Sequence, residues 1–193
     1  MGIVWSIIRG IKYLFLASLA LFILYTLYYN ISGEAFLPEG YYEAARDYAP
    51  KVEKHDRETL EKLLMNLTLP PYRRDYFDCS ESSSFLEWYL EGAGFHTYIG
   101  ASLSLQHAWV IVELDNGEWV AVEATVLTEN NYNPPGIVDV KNSYYYNPPK
   151  LYENPGQAIS FINDIMYPGY PKWTVGEIDW WNTEPFSSTV EMS

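Results

Sequence analysis

Three blocks decide the reading of this chain: Asp78-Cys79-Ser80-Glu81, His107-Ala108-Trp109-Val110 and Val122-Glu123-Ala124-Thr125. The first holds the single cysteine of the protein, the second one of its three histidines, and the third a carboxylate on what should be the neighbouring strand. A thiol, an imidazole and a carboxylate are what a cysteine nucleophile requires: the attacking atom, its base, and the group that orients the base.

Asp78 and Glu81 have the spacing of a capping box, with Asp in the capping role, and this predicts Cys79 at the first position of a helix. Unpaired N–H groups and the macrodipole at that end favour an anion and so lower a thiol pKa. Free cysteines are commonly small buried hydrophobes, but a helix start between Asp and Ser is a poor core position. Ser82, Leu86, Tyr89, Leu90 and Ala93 then predict one packed face, with Gly92 and Gly94 as the stop.

His107 to Leu114 and Glu118 to Val126 alternate with period two around Asp115-Asn116-Gly117, which predicts a β-hairpin. Its register decides whether Glu123 can reach His107. A two-residue Asn116-Gly117 turn sets Glu123 opposite Val110 and away from the face of His107, leaving Asp139 or Asp179 as the carboxylates to consider. A three-residue loop sets Trp109 opposite Glu123 and His107 opposite Thr125, all on one face, with Gly117 in the left-handed position. The sequence allows both.

With Ala93-Gly94-Phe95 following the cysteine helix, and with Trp119-Val120-Ala121-Val122-Glu123-Ala124-Thr125, the blocks resemble the core of the transglutaminase-like superfamily, roughly Gly-x-Cys, His-Ala-Trp and Asp-Pro-Thr. Phe77 stands where that family usually has glycine, and Glu123-Ala124 where it has Asp-Pro. The start Phe77-Asp78-Cys79-Ser80 also looks like that of bacterial cell-wall endopeptidases of a related papain-like group. The resemblance covers about fifty residues. It implies an α+β, papain-like fold with the cysteine helix packed on an antiparallel sheet. By carry-over Cys79 is the nucleophile, His107 the base and Glu123 the third member, acting on amide or peptide bonds by hydrolysis or transamidation without a cofactor. A non-catalytic surface module that binds peptide or glycan in the same groove is the competing expectation.

Outward from these blocks, the chain has 193 residues, 48% of them apolar, enough for one domain with a sizeable core. Tyr13 to Gly33 carries no charge, and at about 1.5 Å per helical residue it spans roughly 30 Å, a bilayer's hydrocarbon thickness. The expected division is therefore 1–33 as cytoplasmic N-terminus and transmembrane anchor and 34–193 as an extracytoplasmic domain, because Arg9 and Lys12 precede the apolar run. The alternative is a cleaved signal peptide. The run is longer than a usual h-region, and Ile31-Ser32-Gly33-Glu34-Ala35 is a poor cleavage site.

All 25 Asp and Glu follow Gly33 together with 10 of the 12 Lys and Arg, a formal charge of −15 that argues against nucleic acid as a partner. One cysteine excludes an internal disulfide and a multi-thiolate zinc site. His55 and His96 fit no metal-ligand spacing and read as surface residues.

Further helices are predicted at Tyr41 to Ala49, ending before Pro50, and from Asp56, with Leu60, Leu63, Leu64 and Leu67 on one side. Thr97 to Ile99 is a short candidate strand. The segment 127–155, rich in Tyr, Asn and Pro, is expected to hold a strand at Ile137 to Val140 and to be either a functional loop or an irregular wrap over the sheet, its tyrosines at 144 to 146 packing as aromatics or lining a groove. A helix opened by Pro155 should bury Ala158, Phe161, Ile162 and Ile165, and Trp173, Trp180 and Trp181 should pack on the domain.

Overall fold

The computed structural model of the chain describes residues 2–74, 76–102 and 104–160. Phe161, Ile162, Ile165, the tryptophans at 173, 180 and 181, and Asp179 lie outside the described residues. The first helix, α1 (Gly2–Ser32), contains a stretch from Ile7 to Ser32 with mean hydropathy 2.0 and no part of it buried. It is long and apolar enough to cross a membrane. Gly33, at φ 81°, ends it and leads into a 3-10 turn at Glu34–Phe36.

Two short helices follow. In α2 (Tyr41–Tyr48) the chain turns extended at Ala49, as the residue before a proline must when a helix closes. The N-cap of α3 (Arg57–Met65) is Asp56, whose carboxylate accepts from the Thr59 N–H at 2.9 Å. Leu60 and Leu64 of α3 are fully buried.

The centre of the domain is α4 (Cys79–Ala93), and its capping box forms as the spacing predicts. Asp78 accepts from the Ser80 N–H at 3.1 Å, and Glu81 accepts from the Asp78 N–H at 2.9 Å. Gly94, at φ 99°, closes it. Instead of one packed face, thirteen of the fifteen residues are buried, because α2 covers the side turned away from the sheet. The Trp88 indole N–H donates to the Tyr41 carbonyl at 2.7 Å, and Gly92 lets the Ala45 carbonyl approach where any Cβ would collide. Glu87 lies inside this contact, where its carboxyl accepts from the Tyr42 hydroxyl at 2.6 Å and the Tyr41 hydroxyl at 3.2 Å.

The sheet is antiparallel, in the order β3-β2-β1-β4, formed by β1 (His96–Ser102), β2 (His107–Glu113), β3 (Trp119–Val122) and β4 (Lys150–Tyr152). β1 is longer than the three-residue strand read from sequence, and β4 falls in a segment whose pattern did not announce it. Ile137 to Val140 is not a strand: Ile137 makes a single bridge to Val122. The hairpin pairs Val110 with Val122 and Glu113 with Trp119 around a three-residue loop, with Gly117 at φ 78°. Of the two registers, this is the one that turns Glu123 to the His107 side.

The two faces are buried by different partners. Val110, Val112, Val120 and Val122 join Phe85, Leu86 and Leu90 of α4 in the main core, and each large side chain taken fully from water contributes about 1.5–3 kcal/mol. Trp109, Ile111 and Ala121 point the other way, beneath Tyr144, Tyr145 and Tyr146 of a short helix, α5 (Ser143–Tyr146). The last element described, α6 (Pro155–Ser160), packs Ala158 and Ile159 against Ala101, Ala108 and Tyr152. The protein is thus α+β, a four-stranded antiparallel sheet with a helical layer, preceded by one apolar helix.

Candidate active site

Cys79, His107 and Glu123 arrive from three elements. Cys79 opens α4 and remains partly exposed at the capped end. His107 opens β2, and its ring lies over the buried indole of Trp109, two residues on and on the same side of the strand, with ring centres 5.8 Å apart. Glu123 is the first residue past β3. The sequence reading carried that strand on to Val126, but pairing with β2 stops at Val122, and on the outer edge of β3 the Glu123 N–H donates to the Gly136 carbonyl at 2.9 Å. The chain then turns into a 3-10 segment, Ala124–Leu127.

This break aims the carboxylate. The His107 Nε2 lies 2.7 Å from Glu123 Oε2. Glu123 Oε1 accepts from the Thr125 hydroxyl at 2.6 Å and from the Thr125 N–H at 3.1 Å. The Tyr145 hydroxyl donates to Oε2 at 2.9 Å and stands 3.5 Å from His107 Nε2. Each carboxylate oxygen therefore meets two donors, the full capacity of such a group.

The electrostatics follow from these contacts. Hydrogen bonding to Cys79, then to Glu123, outweighs burial and pushes the His107 imidazole up to about 10. Burial alone would raise Glu123, but the hydrogen bond and charge of His107, with Thr125 and Tyr145, hold it below the ordinary carboxylate range. At neutral pH the pair is imidazolium and carboxylate, and Nε2 donates. Nε2 is thereby committed to Glu123.

Gln106, immediately before His107, has φ 49°, a left-handed conformation uncommon outside glycine. Its carbonyl accepts from the Cys79 thiol at a sulfur–oxygen distance of 3.7 Å. Neither Gln106 nor Tyr145 was singled out by the sequence reading. Three consecutive tyrosines after a Pro/Asn-rich stretch carry no periodicity that would separate the one facing Glu123 from its neighbours.

The other carboxylate considered, Asp139, accepts from the Lys141 N–H and so shapes its own turn. His55 lies against Asp115 and Phe95, and His96 against Glu91. Among the described residues no group of three or more His, Cys, Asp or Glu has the arrangement of a metal site. A cavity of about 410 Å³ opens beside the site, with Glu123, Tyr145, Val126, Pro135, Ile137 and Asn142 in its wall. Cys79 and His107 are not part of that wall.

No family model matches the sequence, and no solved structure gives a significant match. The chain is 38% identical over 163 residues to an uncharacterized protein of Methanocaldococcus jannaschii, in an alignment that takes in 75% of this chain and 65% of the relative. The match thus spans just under two thirds of the relative's length.

Proposed function

We propose that the chain is a membrane-anchored cysteine enzyme with a papain-like core of the transglutaminase-like kind, acting on amide or peptide bonds. The observation that carries this reading is one constellation. A thiol at the capped start of a buried helix donates to the carbonyl of Gln106, the residue next to an imidazole whose Nε2 lies 2.7 Å from a half-buried carboxylate.

In this mechanism Cys79 attacks as its thiolate, the nucleophilic form of a thiol, with the His107 imidazolium as the acid. The sulfur attacks the carbonyl carbon, a C–S bond forms, and the tetrahedral oxyanion takes hydrogen bonds from N–H groups at the start of α4. His107 gives its proton to the leaving nitrogen, the C–N bond breaks, and a thioester remains on Cys79. Water or an amine then attacks the thioester and gives its proton to His107, the C–S bond breaks, and an acid or a new amide is released with the Cys79 thiolate and the imidazolium restored. Glu123 keeps the imidazole oriented throughout and stabilises its charged form. The domain after Gly33 is proposed to lie outside the membrane, on the side opposite Arg9 and Lys12.

Because the chain holds one cysteine, alkylation of the full-length protein in detergent reports Cys79 alone. The expected result is iodoacetamide alkylation at pH 6 at least tenfold faster than for a free thiol, whose pKa is about 8.5, with thioester adducts on Cys79 from activated peptide esters. A rate no faster than the free thiol, with no adduct, would reduce the groove to a binding surface. Protease added outside intact cells should remove the segment after Glu34 and spare an N-terminal tag. Protection of that segment would reverse the proposed orientation.

A further inference from the structure

Tyr145 stands over the junction of the imidazole and the carboxylate. Its hydroxyl donates to the same oxygen, Glu123 Oε2, that holds His107, at 2.9 Å against 2.7 Å for the imidazole. Its ring meets the His107 ring edge-on, with centres 6.1 Å apart.

The tyrosine is itself held in place. The Trp109 indole N–H donates to the Tyr145 carbonyl at 2.9 Å, and the two rings pack with centres 5.0 Å apart. Trp109 is completely buried, so the chain that carries His107 also fixes the backbone that carries Tyr145. Thr125 binds the other carboxylate oxygen through two groups. The carboxyl plane is thereby fixed from both ends: Thr125 sets Oε1, and Tyr145 sets Oε2 against the imidazole.

We propose that Tyr145 is a positioning residue for the site, which locks in place the Glu123 oxygen that accepts the hydrogen bond of His107. This deepens the reading of Cys79, His107 and Glu123 as a thiol-enzyme site and rests on it. A phenol that donates to the ionised carboxyl, and has nothing comparable to give the neutral one, must lower the pH at which that carboxyl takes up a proton. The tyrosine thus extends to lower pH the range over which the imidazole keeps its partner.

The test is a titration of the full chain in detergent micelles, followed through the ¹⁵N signals of the His107 ring. Protonation of Glu123 appears there as a step on the acid side, and Tyr145→Phe, which keeps the ring against Trp109, is expected to move it up by roughly half to one pH unit. Site-specific 3,5-difluorotyrosine at 145, a stronger donor of the same shape, should move the step down, which a loosened fold would not do. An acid step that is unmoved in both proteins overturns the proposal.

Alkylation of Cys79 separates the two claims. If the unaltered protein reacts no faster than a free thiol while the step still moves with Tyr145, the enzyme reading fails and the positioning of Glu123 survives. If Cys79 is reactive and the step is indifferent to Tyr145, the reverse holds.

Discussion

At the scale of single residues, the decisive group is Glu123, because each of its oxygens accepts two hydrogen bonds. A glutamine there presents an NH₂ that accepts nothing, so either Thr125 or the His107–Tyr145 pair loses its acceptor whichever way the amide turns. Glu123→Gln is therefore expected to destabilise the domain by about 1–3 kcal/mol and to slow the proposed acyl transfer by about 10³–10⁴-fold, as loss of the orienting carboxylate does elsewhere. A melting curve together with single-turnover kinetics checks this, and wild-type rates in the variant would remove Glu123 from the mechanism. Glu123→Asp keeps the charge and should retain more activity than Glu123→Gln. The pH dependence of stability has a definite sign here. His107 is raised in the fold, so its contribution is complete below about 6.5, the free imidazole value, and is lost as pH rises through about 10. Glu123 is lowered, so its contribution is present above the ordinary carboxylate value and is lost as pH falls through its depressed one.

At the scale of an element, α4 combines the proposed nucleophile at one end with burial along its length. Glu81 completes the capping box that exposes Cys79, yet it is 1% exposed, and burial pushes its carboxyl up to about 9. A buried acid with a raised pKa folds neutral, so its effect on stability is most favourable below the ordinary carboxylate value and is lost as pH climbs through about 9. Glu81→Gln keeps an oxygen for the Asp78 N–H and removes the ionisation. The expected outcome is a melting temperature that declines less steeply between pH 5 and 9, on the order of several degrees at the alkaline end for a domain of this size. Parallel curves for the two proteins would mean that Glu81 is already solvated or charged in the fold. Its other oxygen, Oε1, has no hydrogen-bond partner, which adds to the cost of charging it there.

Across the whole molecule, the membrane-length helix is joined to the domain without slack. The Ser160 hydroxyl donates to the Asn30 carbonyl at 2.7 Å and the Asn154 amide to the Ser32 carbonyl at 3.2 Å. Gly33 and Gly156 meet backbone to backbone, and a Cβ on Gly156 would run into the Gly33 carbonyl. The end of α1 is thus seated on α6, which packs in turn on Ala101 and Ala108, the latter next to His107. Gly156→Val is expected to pry this joint open while leaving the rest of the domain folded. Limited proteolysis should then cut between Ser32 and Tyr41 at least tenfold faster, with the near-ultraviolet signal of Trp88 and Trp109 unchanged. Unaltered cleavage would show that the contact does not hold the helix.

The sequence by itself determined the parts that depend on neighbours along the chain. Asp78 and Glu81 predicted a helix beginning at Cys79 because a capping box closes within one turn, and the apolar run predicted a membrane-length helix from composition and rise alone. Alternation predicted β2, and the pattern at Asp115-Asn116-Gly117 narrowed the hairpin to two registers. Only tertiary structure chose between them and then ended β3 at Val122, beyond which the chain turns into a 3-10 segment at Ala124 with the Glu123 carboxylate against His107. It also buried α4 on both sides and brought Tyr145 onto a carboxylate twenty-two positions earlier. Such contacts follow from which surfaces pack together, and packing over long separations leaves no period in the local sequence to read.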